Sequence, residues 1–138
     1  MVTLTNPITA SLTGISQITG RVYNDFNSDG QITANGIVTD TGVQSVTVTA
    51  YDPSGNLVGS AQISDASGLY TITTGGVAGP YRLEFSNLPA GYEPAKSGSQ
   101  NGTSVQFVNS APATNVNFAI NMPCDYCQNN PLIIGSRN

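Results

Sequence analysis

Residues 17–40 read QITGRVYNDFNSDGQITANGIVTD and join an alternating segment to an acidic loop. Over residues 17–24 the side chains alternate between two faces, which is the period-two pattern of a half-buried β-strand. The turn sequence D-x-N-x-D-G follows directly at residues 25–30. The sequence therefore predicts a strand that ends in a loop rich in oxygen ligands.

The loop at residues 25–40 predicts a Ca²⁺ site. Alternate oxygen-bearing side chains can converge on one point, Gly30 permits the sharp turn that follows them, and Ile32 is expected to anchor the loop to the core. A hard cation takes about six to eight oxygen ligands. The expected ligands are the side-chain oxygens of Asp25, Asn27, Asp29 and Asp40, the backbone carbonyl of Gln31, and Thr33 directly or through water.

The end of this loop departs from the EF-hand pattern. An EF-hand places a bidentate Glu at about position twelve, which is Gly36 here, and the next carboxylate is Asp40, four residues later. Either the loop carries a short insertion and Asp40 closes the ligand shell, or the site is incomplete. A polar turn without a metal is the alternative, since Asn, Asp and Gly dominate turns in general.

Further alternating segments predict an all-β fold. Turn signals stand at residues 52–55 and 65–68, and no helix is predicted. The remaining strands are expected within residues 45–51, 56–64, 69–73, 81–86, 104–109 and 115–120. About seven short strands at this spacing predict an antiparallel Greek-key β-sandwich.

Two expectations concern the side chains of these strands. Val105 and Phe107 are expected to point inward from their strand. Arg82 and Glu84 fall on one face of a strand, where a solvated ion pair is expected rather than a ligand-binding pair.

The length of 138 residues suits one domain flanked by two short segments. We expect an N-terminal arm or edge strand at 1–16, the sandwich at 17–121, and a C-terminal tail or linker at 122–138. The termini are expected either to be linkers or to donate strands to a neighbouring subunit. In the tail, Cys124 and Cys127 are expected to form a disulfide, within the pair or to a neighbouring chain or domain.

Composition excludes several classes of function. The chain has no histidine, so neither a Ser-His-Asp site nor a His-based zinc site can form, and no enzymatic activity is expected. With four basic residues and a net charge of −4, nucleic-acid binding is not expected. There is no apolar run long enough for a membrane span. The N-terminus lacks the pattern of a signal peptide, so a mature product or a fragment is expected.

Several segments together resemble a known family. ITGRVYNDFNSDG, DTGVQSVTVTAYDPSGNLV, ISDASGLYTI and YRLEFSNLPAGYEP, spread over residues 17–121, resemble the SdrD B-like domain. This is the B-type repeat of serine–aspartate repeat adhesins, related to the Cna-B, prealbumin-like module. In that family an acidic residue precedes the pattern G-[VI]-x-G-V-x-V, which is similar to the segment that follows Asp40. The resemblance therefore supports Asp40 as the closing carboxylate, with the extra residues at 34–38.

The resemblance also implies a function. It implies a calcium-stabilised structural module of an exported bacterial surface or filament protein, acting as a rigid spacer or polymer subunit at the cell surface. Neighbouring copies or domains of the same assembly are the expected partners, and an adhesin domain that binds carbohydrate or protein is the alternative. Some relatives carry a Lys–Asn isopeptide bond, which is not expected here because the first strand has no lysine and Lys96 falls in a loop.

Overall fold

The computed structural model describes residues 16–32, 40–96 and 102–122. Over these ranges it contains nine β-strands and no helix, and so no helix that could cross a membrane. The strands are β1 (Gln17–Asn24), β2 (Thr41–Gly42), β3 (Thr47–Tyr51), β4 (Leu57–Ile63), β5 (Leu69–Thr73), β6 (Tyr81–Ser86), β7 (Glu93–Pro94), β8 (Val105–Val108) and β9 (Phe118–Asn121). Thr33, the extra residues at 34–38, most of the predicted N-terminal arm, and Cys124 and Cys127 of the tail lie outside the described ranges.

The strands form two packed sheets, which confirms the predicted β-sandwich. One sheet has the order β4-β3-β6-β8, and the other has the order β2-β1-β9-β7 with β5 paired to β1. Seven of the strands have four or more residues, and the two additional strands, β2 and β7, have two residues each. The pairing is antiparallel except between β1 and β9, which run parallel through Val22 to Asn24.

The core between the sheets is built from the inward faces of the alternating strands. The Phe85 ring of β6 stacks on the Phe118 ring of β9 with centroids 4.1 Å apart, and the Tyr70 ring of β5 meets Phe85 edge-on at 5.7 Å. Such aromatic pairs add about 0.5–1.5 kcal/mol beyond the apolar area that they bury. The two sheets are therefore joined by an aromatic cluster at their centre.

Gly20 occupies an inward position of β1 for a steric reason. A Cβ at this position would lie 1.8 Å from the Val116 carbonyl oxygen, much closer than van der Waals contact permits. The hydroxyl of Tyr70 donates to the same carbonyl at 2.6 Å. The glycine in the predicted strand pattern thus allows the segment before β9 to approach β1.

The predicted orientation of β8 is wrong. Phe107 is 76% exposed, whereas Gln106 and Val108 face the core. Antiparallel pairing places Gln106 opposite Leu83 and Val108 opposite Tyr81, and cross-strand partners share a face of the sheet. The inward residues of β6 therefore determine the orientation of β8, and the Gln106 side chain meets its hydrogen-bonding need by donating to the Asn117 carbonyl.

Both predicted turns are present, and each is closed by an aspartate. The Asp52 carboxylate accepts hydrogen bonds from the backbone N–H groups of Ser54 and Asn56, each at 2.9 Å. Asp65 has the same role in the turn before β5. The hydrogen bonds, led by that from the Asn56 backbone, lower the pKa of Asp52.

The predicted ion pair on β6 is confirmed. The Arg82 guanidinium donates to the Glu84 carboxylate at 2.7 Å, and both side chains are partly exposed. An exposed pair of this kind contributes about 0–1 kcal/mol to stability.

Candidate metal centre

Three carboxylates meet at one end of the sandwich. Asp25, Asp29 and Asp40 each offer an oxygen atom within 4.8 Å of the other two. Asp25 is 0% exposed and Asp40 is 4% exposed, whereas Asp29 lies at the surface. Two buried acids beside a third are costly unless a cation or hydrogen bonds compensate their charges.

The strands determine where the two buried acids lie. Asp25 directly follows β1, and its backbone N–H donates to the Ile120 carbonyl of β9 at 2.9 Å. Asp40 directly precedes β2, whose first residue, Thr41, pairs with Asn24 at the end of β1. Because β1 pairs with both β9 and β2 at this point, residues fifteen positions apart in the chain are brought together.

The first half of the loop folds around the Asp25 carboxylate. One of its oxygens accepts the backbone N–H of Asp29 at 3.1 Å, and the other accepts that of Gly30 at 2.8 Å. Gly30 has a φ of 78°, a left-handed conformation that glycine adopts without a Cβ penalty. The glycine of the D-x-N-x-D-G pattern therefore makes the predicted sharp turn.

Asp40 has one satisfied and one unsatisfied oxygen. Its Oδ1 accepts the Phe26 backbone N–H at 3.0 Å. Its Oδ2 is buried and is the one side-chain atom of this kind without a hydrogen-bond partner among the described residues. An unsatisfied buried acceptor costs about 1–3 kcal/mol, and more when it is charged. A bound cation would compensate this oxygen, so the donor set fits a hard divalent ion.

Within the described part of the chain, the structure does not show the predicted ligand atoms of Asn27 and Gln31 within the carboxylate cluster. The amide nitrogen of Asn27 donates to Asp29 Oδ2 at 3.0 Å, so ligation through its oxygen would need the amide group to turn over. The Gln31 backbone N–H donates to Asp29 Oδ1 at 2.9 Å, and a role for its carbonyl stays a prediction. Thr33 is outside the described residues.

Tyr23 is a neighbour of the site that sequence reasoning did not identify. It lies on the face of β1 opposite Ile18 and Val22, yet it is buried with Ala95 and Ala119, and Ile32 packs against this small cluster. Burial, followed by the charges of Asp25, Asp40 and Asp29, raises the pKa of Tyr23 to about 12. Its position two residues before Asp25 was the one sign in the sequence that it lies near the site. Its burial could not be read from the sequence, because the residues that cover it lie in β9 and directly after β7.

A second group of side chains is assembled by strand register. Leu57, Tyr51, Arg82 and Phe107 lie opposite one another across β4, β3, β6 and β8, and we call them the outer row. The Arg82 guanidinium lies over the Tyr51 ring, 5.0 Å from its centroid. The members of this row come from three separate parts of the sequence, so the row is visible only in the folded structure.

The one lysine in the chain lies at the surface. The Lys96 side chain is 86% exposed, and its ammonium group is 3.4 Å from the Glu93 carboxylate. The amine is therefore outside the core between the sheets.

Comparison with known proteins identifies a family and related sequences. Residues 16–131 match the family of the SdrD B-like domain. Colossin-B of Dictyostelium discoideum is 35% identical over 118 residues, a stretch that covers 85% of this chain and 3% of colossin-B. The chain thus spans a very small part of that relative.

Two solved structures share the fold. A minor pilin of the Gram-positive pathogen Streptococcus agalactiae matches with a TM-score of 0.55 and 15% identity, over 78% of this chain and 44% of the pilin. The backbone protein of the group B streptococcus pilus 2b matches with a TM-score of 0.53 and 16% identity, over 82% of this chain and 43% of that protein. At this level of identity the likeness shows the β-sandwich fold alone.

Proposed function

Because the chain belongs to the SdrD B-like domain family, we propose that it is a calcium-stabilised structural module of an exported bacterial surface or filament protein. In this role it acts as a rigid spacer or polymer subunit at the cell surface, beside neighbouring copies or domains of the same assembly. The pilin folds and the family support the structural role. The carboxylate cluster supports the role of calcium.

The buried Asp40 oxygen without a partner is the observation that carries the proposal. A simple polar turn would satisfy its buried acceptors with backbone N–H groups, as Asp25 does. Asp40 instead has an unpaired buried oxygen and belongs to a cluster of like charges. A cation held by Asp25, Asp29 and Asp40 removes the repulsion and compensates this oxygen.

Such a cation would link the end of β1 to the start of β2, which are otherwise connected by a short strand pairing. Asp25 stands at the end of β1, and Asp40 stands before β2, which has two residues. A shared ion therefore joins the first strand of the sandwich to the start of the segment that leads into β3. Stiffening at this junction suits a module that carries load or sets spacing.

Calorimetric titration with Ca²⁺ tests the proposal. We expect binding in the extracellular class, on the order of 10⁻⁴ M, with Mg²⁺ competing poorly because it demands a small octahedral shell. Asp29→Ala and Asp40→Ala should each remove the binding heat. Asp52→Ala, which removes a turn aspartate on another loop, is the matched control and should bind normally. Equal heats for all four proteins would rule out the cluster as the site.

Terbium luminescence gives an independent readout. The chain has no tryptophan, so excitation energy reaches a bound Tb³⁺ from tyrosine. Among the described tyrosines, Tyr23 is the one whose pKa is raised by the charges of all three carboxylates, and Tyr23→Phe should remove most of the sensitised emission. Tyr51→Phe, on the outer face of the other sheet, should leave the emission unchanged. Excess Ca²⁺ should displace Tb³⁺ and quench the signal.

The proposal assigns the chain no enzymatic activity and no isopeptide crosslink. Asp25, Asp29 and Asp40 are assigned to the cation, and the Glu84 carboxylate is paired with Arg82. The disulfide of Cys124 and Cys127 stays a prediction. Intact mass under denaturing conditions, with and without reductant, distinguishes it from two free thiols.

The outer row favours adhesion as a second candidate function. Phe107 is the most exposed of the large apolar side chains in the described part of the chain. Arg82 is its cross-strand partner, and Tyr51 is the next member of the row. Exposed aromatic and arginine side chains are the usual anchors of binding surfaces. A glycan and protein array compares the unmodified chain with Phe107→Ala. Binding that is lost in Phe107→Ala and retained in Phe26→Ala would establish this face as an adhesive surface.

A further inference from the structure

A small apolar patch lies at the end of the sandwich that carries the carboxylates. Phe26 is 64% exposed and Met122 is 59% exposed. Together with Tyr92 they line one cleft, whose remaining walls are Asn24 and Asn121. We call Phe26, Tyr92 and Met122 the pole patch.

The pole patch is held in place by the acidic loop and by β9. The Phe26 backbone N–H donates to Asp40, so the backbone of Phe26 is held next to the carboxylate cluster. The Asn121 side chain at the end of β9 donates to the Ser28 hydroxyl at 3.1 Å. A large aromatic side chain held at the surface beside a methionine is typical of a contact surface.

The chain itself leads from this patch into an apolar segment. Met122 is both a member of the patch and the last described residue, and sixteen residues follow it. The family match continues through residue 131, so the sequence directly after β9 belongs to the matched domain. This following sequence contains Tyr126 and the apolar run Leu132-Ile133-Ile134. Even a ten-residue segment can reach about 30 Å when extended, which is ample to return over the patch.

We propose that the pole patch is the docking surface for residues 123–134 of the same chain. In this proposal the partners of Phe26, Tyr92 and Met122 are Tyr126 and the apolar run. The docking contact does not require a cation, so the docking proposal and the calcium proposal can be tested independently.

Amide hydrogen exchange on the full-length chain tests this docking. In the unmodified protein the amides of residues 123–134 should exchange at least about tenfold more slowly than in Phe26→Ser, because losing about 1.4 kcal/mol of docking energy changes the open population tenfold. Phe107→Ser removes an equally large and exposed ring from the outer face, and it should leave these amides unchanged. Equal exchange in the unmodified protein and Phe26→Ser would overturn the proposal, as would an equal effect of the two substitutions.

A double-mutant cycle separates a direct contact from a general loss of stability. Phe26→Ser and Ile133→Ser, each in the full-length chain, should shift the denaturant midpoint by less in combination than the sum of their separate shifts. Full additivity would overturn the contact. Protection that rises with protein concentration would show a second copy in the cleft and would also overturn docking within one chain. Measuring exchange in Ca²⁺ and in chelator keeps the two proposals apart, since Phe26→Ser should act in both.

Discussion

We expect the negative charge of Asp40 to lower the stability of the domain without a cation and to raise it when a cation is bound. Without a cation its carboxylate is buried beside Asp25 and Asp29. Asp40→Asn keeps the acceptor for the Phe26 N–H and removes one negative charge. We expect the substitution to raise the melting temperature in chelator and to lower it in excess Ca²⁺, with about 1 kcal/mol corresponding to roughly 3–5 °C for a domain of this size.

Scanning calorimetry in the two buffers provides this comparison. A shift of the same sign in both buffers would show that Asp40 is a structural acid and not a ligand. Asp52→Asn serves as the control because its side chain lies in an exposed turn on another loop, and its effect should not depend on calcium.

Gly20 gives a prediction about packing at the scale of one residue. Gly20→Ala places a methyl group where the Val116 carbonyl lies, so β1 or the segment before β9 must move. Overpacking of this kind costs about 1–3 kcal/mol. Urea unfolding should show that loss, whereas Ser60→Ala on the exposed face of β4 should unfold within about 0.5 kcal/mol of the parent. Equal stability of the two variants would contradict the described contact.

Individual residues of the site differ in how far sequence could predict them. The spacing of Asp25, Asp29 and Gly30 indicates a tight acidic turn, because the ligands and the turn are local. The spacing left open whether Asp40 closes the ligand shell, and the resemblance to the family pattern favoured that role. The burial of Tyr23 could not be predicted, because Ala95 and Ala119, which cover it, are distant from it in the sequence.

At the scale of elements, the aspartate-closed turn between β3 and β4 predicts a pH dependence. The hydrogen bonds of the turn lower the pKa of Asp52 below its ordinary value of 3.8. A lowered carboxyl pKa contributes stability above the unfolded value, and this contribution is lost as the pH falls through the folded value. Asp52→Asn should therefore flatten the stability profile below about pH 4, as measured by urea unfolding at several pH values. An unchanged acid slope would show that the turn does not depend on the charge.

The orientation of a single strand shows where sequence reasoning fails at this scale. The bounds of β1, β5 and β6 agree with the predicted segments, since their alternation is strong and turns flank them. In β8 both alternate faces carry apolar residues, so alternation alone permits two orientations. The register against β6 selects the one that exposes Phe107, and register depends on pairing between segments distant in sequence.

At the scale of the whole molecule, the sandwich follows from patterns repeated along the chain. Turn residues separate short alternating segments, and this arrangement predicts two packed sheets without any single strong motif. The order of the strands within each sheet was not predictable in the same way. The parallel pairing of β1 with β9, which places Asp25 beside the end of the last strand, depends on how the two sheets close.

The central claim is that a cation at the Asp25–Asp29–Asp40 cluster stabilises the whole module, and thermal unfolding across a calcium series tests it most directly. At about a hundredfold excess over the dissociation constant, linkage contributes roughly 2.7 kcal/mol. We expect the melting temperature to be lowest in chelator, to rise by several degrees with calcium, and to keep rising logarithmically above saturation. An identical melting temperature in chelator and at every calcium concentration would contradict the account, and the acidic loop would then be a turn without a metal.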